Sequence, residues 1–147
     1  MRSGRPEIRL SCSHSQKHDV ARAHAAFPGF DGKRNLLTKN WQAYGGVLNL
    51  PGIRAEVIIG DARQTVAAWS GQVDAWFLDG FSPAKNPELW DENLLVDVAK
   101  HTHPNGTAAT YTAAGFVRRN LTGAGFDVTR VPGYGRKRHM TRAKLIT

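Results

Sequence analysis

The chain has 147 residues, is 41% hydrophobic and 22% charged, and carries a formal net charge of +8. This length suits one domain over residues 1–147, and a chain of this size buries about 68–70% of its unfolded surface, so a real core can form. No apolar run reaches the roughly 18 residues of a membrane helix, and no apolar segment follows Met1-Arg2-Ser3-Gly4-Arg5-Pro6 as a secretory signal requires. Cys12 is the only cysteine. A disulfide or a multi-cysteine zinc site within the chain is therefore excluded, and a cytoplasmic location is expected.

Glu7 to Cys12 reads as a short strand, with Ile8 and Leu10 alternating against Arg9 and Ser11. Ser15 to Phe27 reads as a helix with Val20, Ala23 and Phe27 on one face and Pro28-Gly29 as its stop. His14 and His18 could share a face of that helix, but no third ligand joins them, so solvated histidines and no metal are expected. Residues 30–53 carry little pattern. Leu36 to Trp41 suits one or two helical turns, and Gly45-Gly46 and Pro51-Gly52 mark irregular chain. Arg54 to Gly60 is a second strand around Val57-Ile58-Ile59. Asp61 then suits the cap of a helix whose Val66 and Trp69 face inward.

Val73 to Leu78 is apolar except for Asp74, rich in aromatics, and stopped by Asp79-Gly80. It predicts a buried strand covered on both faces. Ligands of open α/β sheets bind just beyond the carboxyl ends of strands, which makes Asp79 a candidate site residue. The plainer alternative is that Asp79 only starts a turn. Gly80 lets the backbone turn or a ligand approach, and Phe81 and Pro83 give a stiff lip. Asn86 suits a helix cap, Pro87 the first helical position and Glu88 the first turn. That helix should run to about His101 with Trp90, Leu94, Leu95 and Val98 in the core.

Pro104-Asn105-Gly106 then predicts a turn, and Thr107 to Tyr111 a strand. Thr112 to Gly115 leads into a helix with Val117, Leu121 and Ala124 inward, Arg118 and Arg119 outward, and Gly123 and Gly125 at its end. Phe126 to Val131 and Arg138 to Ile146 make a hairpin across Gly133-Tyr134-Gly135. From Arg130 onward there are six Lys or Arg and no acid. Such a run suits either a polyanion such as nucleic acid or a solvated basic edge. Alternation of strands and helices predicts an α/β fold: a mostly parallel sheet, helices on both faces, and one antiparallel strand from the terminal hairpin.

Three stretches carry a resemblance: Val73 to Trp90 through the Asp79-Gly80-Phe81-Ser82-Pro83 loop, Thr112 to Arg119, and Gly133 to Met140. They resemble the methyltransferase domain of the bifunctional tRNA 5-methylaminomethyl-2-thiouridine biosynthesis proteins and their stand-alone relatives. The resemblance implies a Rossmann-like S-adenosylmethionine-dependent methyltransferase fold. It implies methyl transfer from S-adenosylmethionine to the aminomethyl nitrogen of wobble 5-aminomethyl-2-thiouridine in tRNA. By position it implies a catalytic Asp79 and a cofactor-binding set of Asp61, Ala62, Asp79 and Gly80. Phe81 and Pro83 are implied to wall the substrate base. Lys85, Arg118, Arg119, Arg136, Lys137 and Arg138 are the candidates for tRNA phosphates. FAD belongs to a separate oxidoreductase domain absent here, and a flavin oxidoreductase domain or protein acting on the same nucleotide is the further partner implied.

The family begins with a strand and a glycine-rich loop, and no Gly-x-Gly-x-Gly lies upstream of Glu7. The region matching the family's next strand end, Leu10-Ser11-Cys12-Ser13-His14, has no carboxylate. The fold expected is therefore N-terminally truncated. A truncated or degenerate, non-catalytic RNA-binding homologue stays open beside the enzyme.

Overall fold

A computed structural model of the chain describes residues 7–12, 46–50 and 53–146. The predicted Ser15–Phe27 helix, the histidines His14 and His18 and the Leu36–Trp41 turns lie outside these residues. The chain divides into two compact units, Met1–Ala62 and Arg63–Thr147.

The first unit holds a three-stranded sheet in the order β1-β3-β2, with β1 at Glu7–Cys12, β2 at Gly46–Leu50 and β3 at Ile53–Ile59. β1 and β3 pair in parallel from Glu7 opposite Arg54 to Cys12 opposite Ile59, so their carboxyl ends are level. β2 returns antiparallel to β3, with Leu50 opposite Ile53. The sequence reading treated Gly45-Gly46 and Pro51-Gly52 as irregular chain. Gly46 is instead the first residue of a five-residue strand that ends at Leu50. Ala55 and Val57 of β3 are buried on one face. Helix α1, Ala62–Ala68, begins at the boundary of the two units and buries Val66.

The second unit holds a four-stranded sheet in the order β4-β5-β7-β6. Its strands are β4 (Val73–Phe77), β5 (Thr102–Thr110), β6 (Phe126–Pro132) and β7 (His139–Leu145). β4 and β5 are parallel, and β7 is antiparallel to both β5 and β6. β4, β5 and β6 therefore run the same way, and β7 alone is reversed, as the alternation and terminal hairpin predict. Helices α2 (Glu92–Lys100) and α3 (Gly115–Gly123) supply the core. Trp90, Leu95, Val98, Val117, Leu121 and Phe126 are each 2% exposed or less. The stripe read from the sequence is thus the packed face.

Two local readings change. The predicted helix from Pro87 is a single 3-10 turn, Pro87–Trp90, followed by α2. Asn86 makes no capping hydrogen bond. Asp91 caps α2 instead, accepting from the Leu94 N–H at 2.8 Å. The extra turn swings Trp90 into the core, where Asn120 of α3 donates to its carbonyl at 2.9 Å. Second, Pro104-Asn105-Gly106 does not separate two elements. β5 runs through it, with a register shift against β4 and Asn105 at φ +63°. A Cβ at Gly106 would lie 2.6 Å from the Thr102 methyl and 2.8 Å from the His103 carbonyl, so only glycine lets the strand fold this closely.

β4 is not covered on both faces. It is an edge strand of its sheet, and Phe77 is 87% exposed. Aromatics anchor it to the rest of the unit. Trp69 meets Trp76 edge to face at 6.2 Å, and Trp76 Nε1 donates to Thr102 Oγ1 at 2.9 Å. His101 Nδ1 sits 2.8 Å from the Gly71 carbonyl.

Candidate active site

The carboxyl end of β4 carries the chemistry. Parallel pairing continues one residue beyond the strand, where the Leu78 N–H donates to the Ala109 carbonyl at 2.8 Å. Asp79 follows with an exposed side chain at the strand's carboxyl end. The Gly80 carbonyl accepts from the buried Trp90 indole at 3.2 Å. A Cβ at Gly80 would meet Leu89 and the Trp90 ring at 3.0 Å. Glycine is thus needed for packing: it lets the loop lie flat on the indole and fixes the backbone beside Asp79.

Phe81 has φ +60°. A bulky side chain rarely adopts this left-handed backbone, and the strain is on the order of 1–3 kcal/mol. The ring is 41% exposed. The loop holds it there because Ser82 closes the next turn, its carbonyl accepting from the Lys85 and Asn86 N–H groups at 2.9 and 3.0 Å. Pro83 is half-buried and Lys85 exposed.

Tyr111, the first residue beyond β5, faces Asp79 closely enough to feel its charge. Burial, and then the negative charge of Asp79, push the Tyr111 phenol above its ordinary pKa, so it stays neutral. The Lys137 ammonium lies 5.0 Å from the Tyr111 ring centroid, a cation–π contact. Lys137 belongs to the turn between β6 and β7, where Pro132 pairs with His139. That turn is closed by Gly133 N–H to the Arg138 carbonyl at 3.1 Å and Lys137 N–H to the Tyr134 carbonyl at 3.2 Å. Strand β7 thereby returns a basic turn to the carboxyl ends of β4 and β5.

The structure therefore brings Asp79, Gly80, Phe81, Pro83 and Lys85 onto one braced loop and adds Lys137 through Tyr111. Tyr111 itself was read only as a strand end. The signal that could have found it is the one used for Asp79, a polar-tipped residue at the carboxyl end of a parallel strand. Arg136 and Arg138 are exposed on the β6–β7 turn, and Arg118 and Arg119 stand on α3. Asp61 and Ala62 follow the end of β3 in the first unit. Among the described residues no group of three His, Cys, Asp or Glu could hold a metal ion, and no helix is long and apolar enough to cross a membrane.

Residues 29–146 match a family model described as an S-adenosyl-L-methionine-dependent methyltransferase. The chain belongs to this methyltransferase family. It is 42% identical over 132 residues to the tRNA 5-methylaminomethyl-2-thiouridine biosynthesis bifunctional protein MnmC of Caulobacter sp. (strain K31), covering 86% of this chain and 22% of that protein. It is 38% identical over 154 residues to MnmC of Stutzerimonas stutzeri (strain A1501), covering 98% of this chain and 23% of that protein. The chain thus spans under a quarter of these relatives' length, consistent with their methyltransferase portion. Among solved structures, MnmC2 from Aquifex aeolicus superposes with a TM-score of 0.73 at 28% identity, over 95% of this chain and 43% of that one. A methyltransferase from Pyrococcus furiosus shares the fold at a TM-score of 0.55 and 15% identity.

Proposed function

We propose that this methyltransferase-family chain acts on tRNA, transferring a methyl group to the aminomethyl nitrogen of a wobble 5-aminomethyl-2-thiouridine. The observation that carries the reading is Asp79: an exposed carboxylate at a strand's carboxyl end, on a loop braced by Trp90. The stretch holding it is the one that resembles the tRNA-modifying relatives.

The residues at the end of β4 fit the cofactor that the family description implies. S-adenosylmethionine carries a sulfonium and an ammonium, and the Asp79 carboxylate is acceptor-only and anionic. Asp79 and Gly80 would hold it on that side. When bound, the cofactor supplies an electrophilic methyl carbon.

The remaining steps fall to the chain's own groups. An ammonium has no lone pair, so the substrate amine must be neutral. Asp79 orients the amine and accepts its proton, directly or through one water. The neutral Tyr111 phenol beside Asp79 adds no competing negative charge. Phe81, held at a strained backbone angle, presents its ring to the uracil face. Loop rigidity supplies alignment, and alignment provides most of the rate.

The test is single-turnover methylation of hypomodified tRNA by wild type and Asp79→Asn. Asp79→Asn should lose about 100-fold or more in rate, in line with general acid–base contributions, with tRNA affinity retained. Equal turnover by both proteins removes Asp79 from the mechanism. Tight tRNA binding without turnover by wild type leaves the RNA-binding reading in place of the enzyme.

A further inference from the structure

A second feature of the same unit lies between α3 and β6. A cleft of about 280 Å³ is lined by Gly115, Arg118, Arg119, Thr122 and Val128. The Thr122 hydroxyl is used internally, donating to the Arg118 carbonyl at 3.0 Å. The two guanidiniums are therefore its polar working groups. Arg118 Nε is shut off from solvent and has no hydrogen-bond partner among the described residues. A buried donor without an acceptor costs about 1–3 kcal/mol and asks for an explanation. The Arg119 guanidinium folds back over the start of α3, where a Cβ on Gly115 would come within 3.3 Å of its Nη1.

This arrangement is electrostatically uncompensated. The N-terminus of α3 is the positive end of the helix dipole. Its first turn has no acidic residue, and Ala114 gives no side-chain cap. Among the described residues no carboxylate lines the cleft. Two guanidinium groups lining one cleft, with Arg119 reaching the positive helix end, have the chemistry of an anion site.

We propose that this cleft binds a single phosphodiester of the RNA substrate, with Arg118 and Arg119 as its ligands. The proposal rests on the tRNA reading above and deepens it. It places these two arginines on one shared cleft, unlike the exposed cations of the β6–β7 turn, with their guanidinium groups as the donors to the phosphate.

The experiment measures binding of an unmodified tRNA transcript to the full chain by fluorescence anisotropy across a salt series. It compares wild type, Arg118→Gln/Arg119→Gln and Arg118→Lys. Loss of one phosphate contact should flatten the salt slope of the double variant by roughly 0.7–0.9, and its affinity should fall about tenfold. Arg118→Lys keeps the charge but loses the fork, so its affinity should fall with the slope unchanged. A double variant that binds with wild-type affinity and slope overturns the proposal. Should the double variant not fold, Arg119→Gln alone, at an exposed position, carries the same test. Should wild type not bind tRNA at all, the tRNA reading falls. The cleft is then judged by calorimetric titration with inorganic phosphate. Binding that the double variant lacks upholds an anion site, and identical traces for both proteins overturn it.

Discussion

Tyr111 links the reaction loop to the basic turn, and its ionisation gives a direct probe of that link. Burial first and Asp79 second raise its pKa above the ordinary 10.0. The sign follows from linkage. Below about pH 10 both folded and unfolded chains keep the phenolic proton, and Tyr111 contributes no pH dependence. As pH rises past the unfolded value, the unfolded chain releases the proton first, so stability falls until the folded phenol also ionises. Tyr111→Phe should remove that part of the alkaline loss, so its thermal midpoint should decline less steeply than wild type above pH 10. Asp79→Asn removes only the second cause. In phenolate absorbance it should bring the Tyr111 midpoint part of the way back down. An unmoved midpoint would mean that Asp79 and Tyr111 do not face each other. The sequence marked Asp79 because Asp-Gly ended an apolar run. Tyr111 also ends a parallel strand, but nothing local says that a residue thirty-two positions beyond Asp79 will meet its loop.

Elements that bury a periodic stripe were legible, and elements defined by what lies beside them were not. Trp90, Leu94, Leu95 and Val98 repeat at helical spacing and are all buried. The start of their helix was misplaced because Asn86-Pro87-Glu88 is a sound helix-start pattern that here begins only a 3-10 turn. The working cap is Asp91. Asp91→Ala should therefore cost about 1 kcal/mol in denaturant unfolding, whereas Asn86→Ala should cost close to nothing. A reversed ranking would restore the sequence reading of one continuous helix. β4 was misread for another reason. Composition gives the same aromatic run to a central strand and to an edge strand, and only pairing tells them apart. Phe77, 87% exposed, stands on an edge without the Lys or Pro that usually guards one. β2 escaped notice because a five-residue strand that opens on Gly46 is too short to show a period.

At the scale of the whole molecule the net charge of +8 has two uses that rate measurements can separate. Arg130, Arg136, Arg138, Arg142 and Lys144 are exposed along β6, its turn and β7. Exposed cations are screened and mobile. Their summed field steers a polyanion toward the site, which raises association rates more than it slows dissociation. The cleft arginines are different, with one guanidinium nitrogen already out of water, so they should act on dissociation. Arg136→Ser/Arg138→Ser leaves Lys137 on Tyr111 and should lower the stopped-flow association rate of tRNA several-fold at low salt. The effect should fade as salt shortens the screening length toward roughly 8 Å at physiological ionic strength, with the dissociation rate nearly unchanged. A changed dissociation rate at constant association rate would mean that the turn grips the RNA. The basic run, read from sequence as either a nucleic-acid surface or a guarded edge, would then be a second contact surface in its own right.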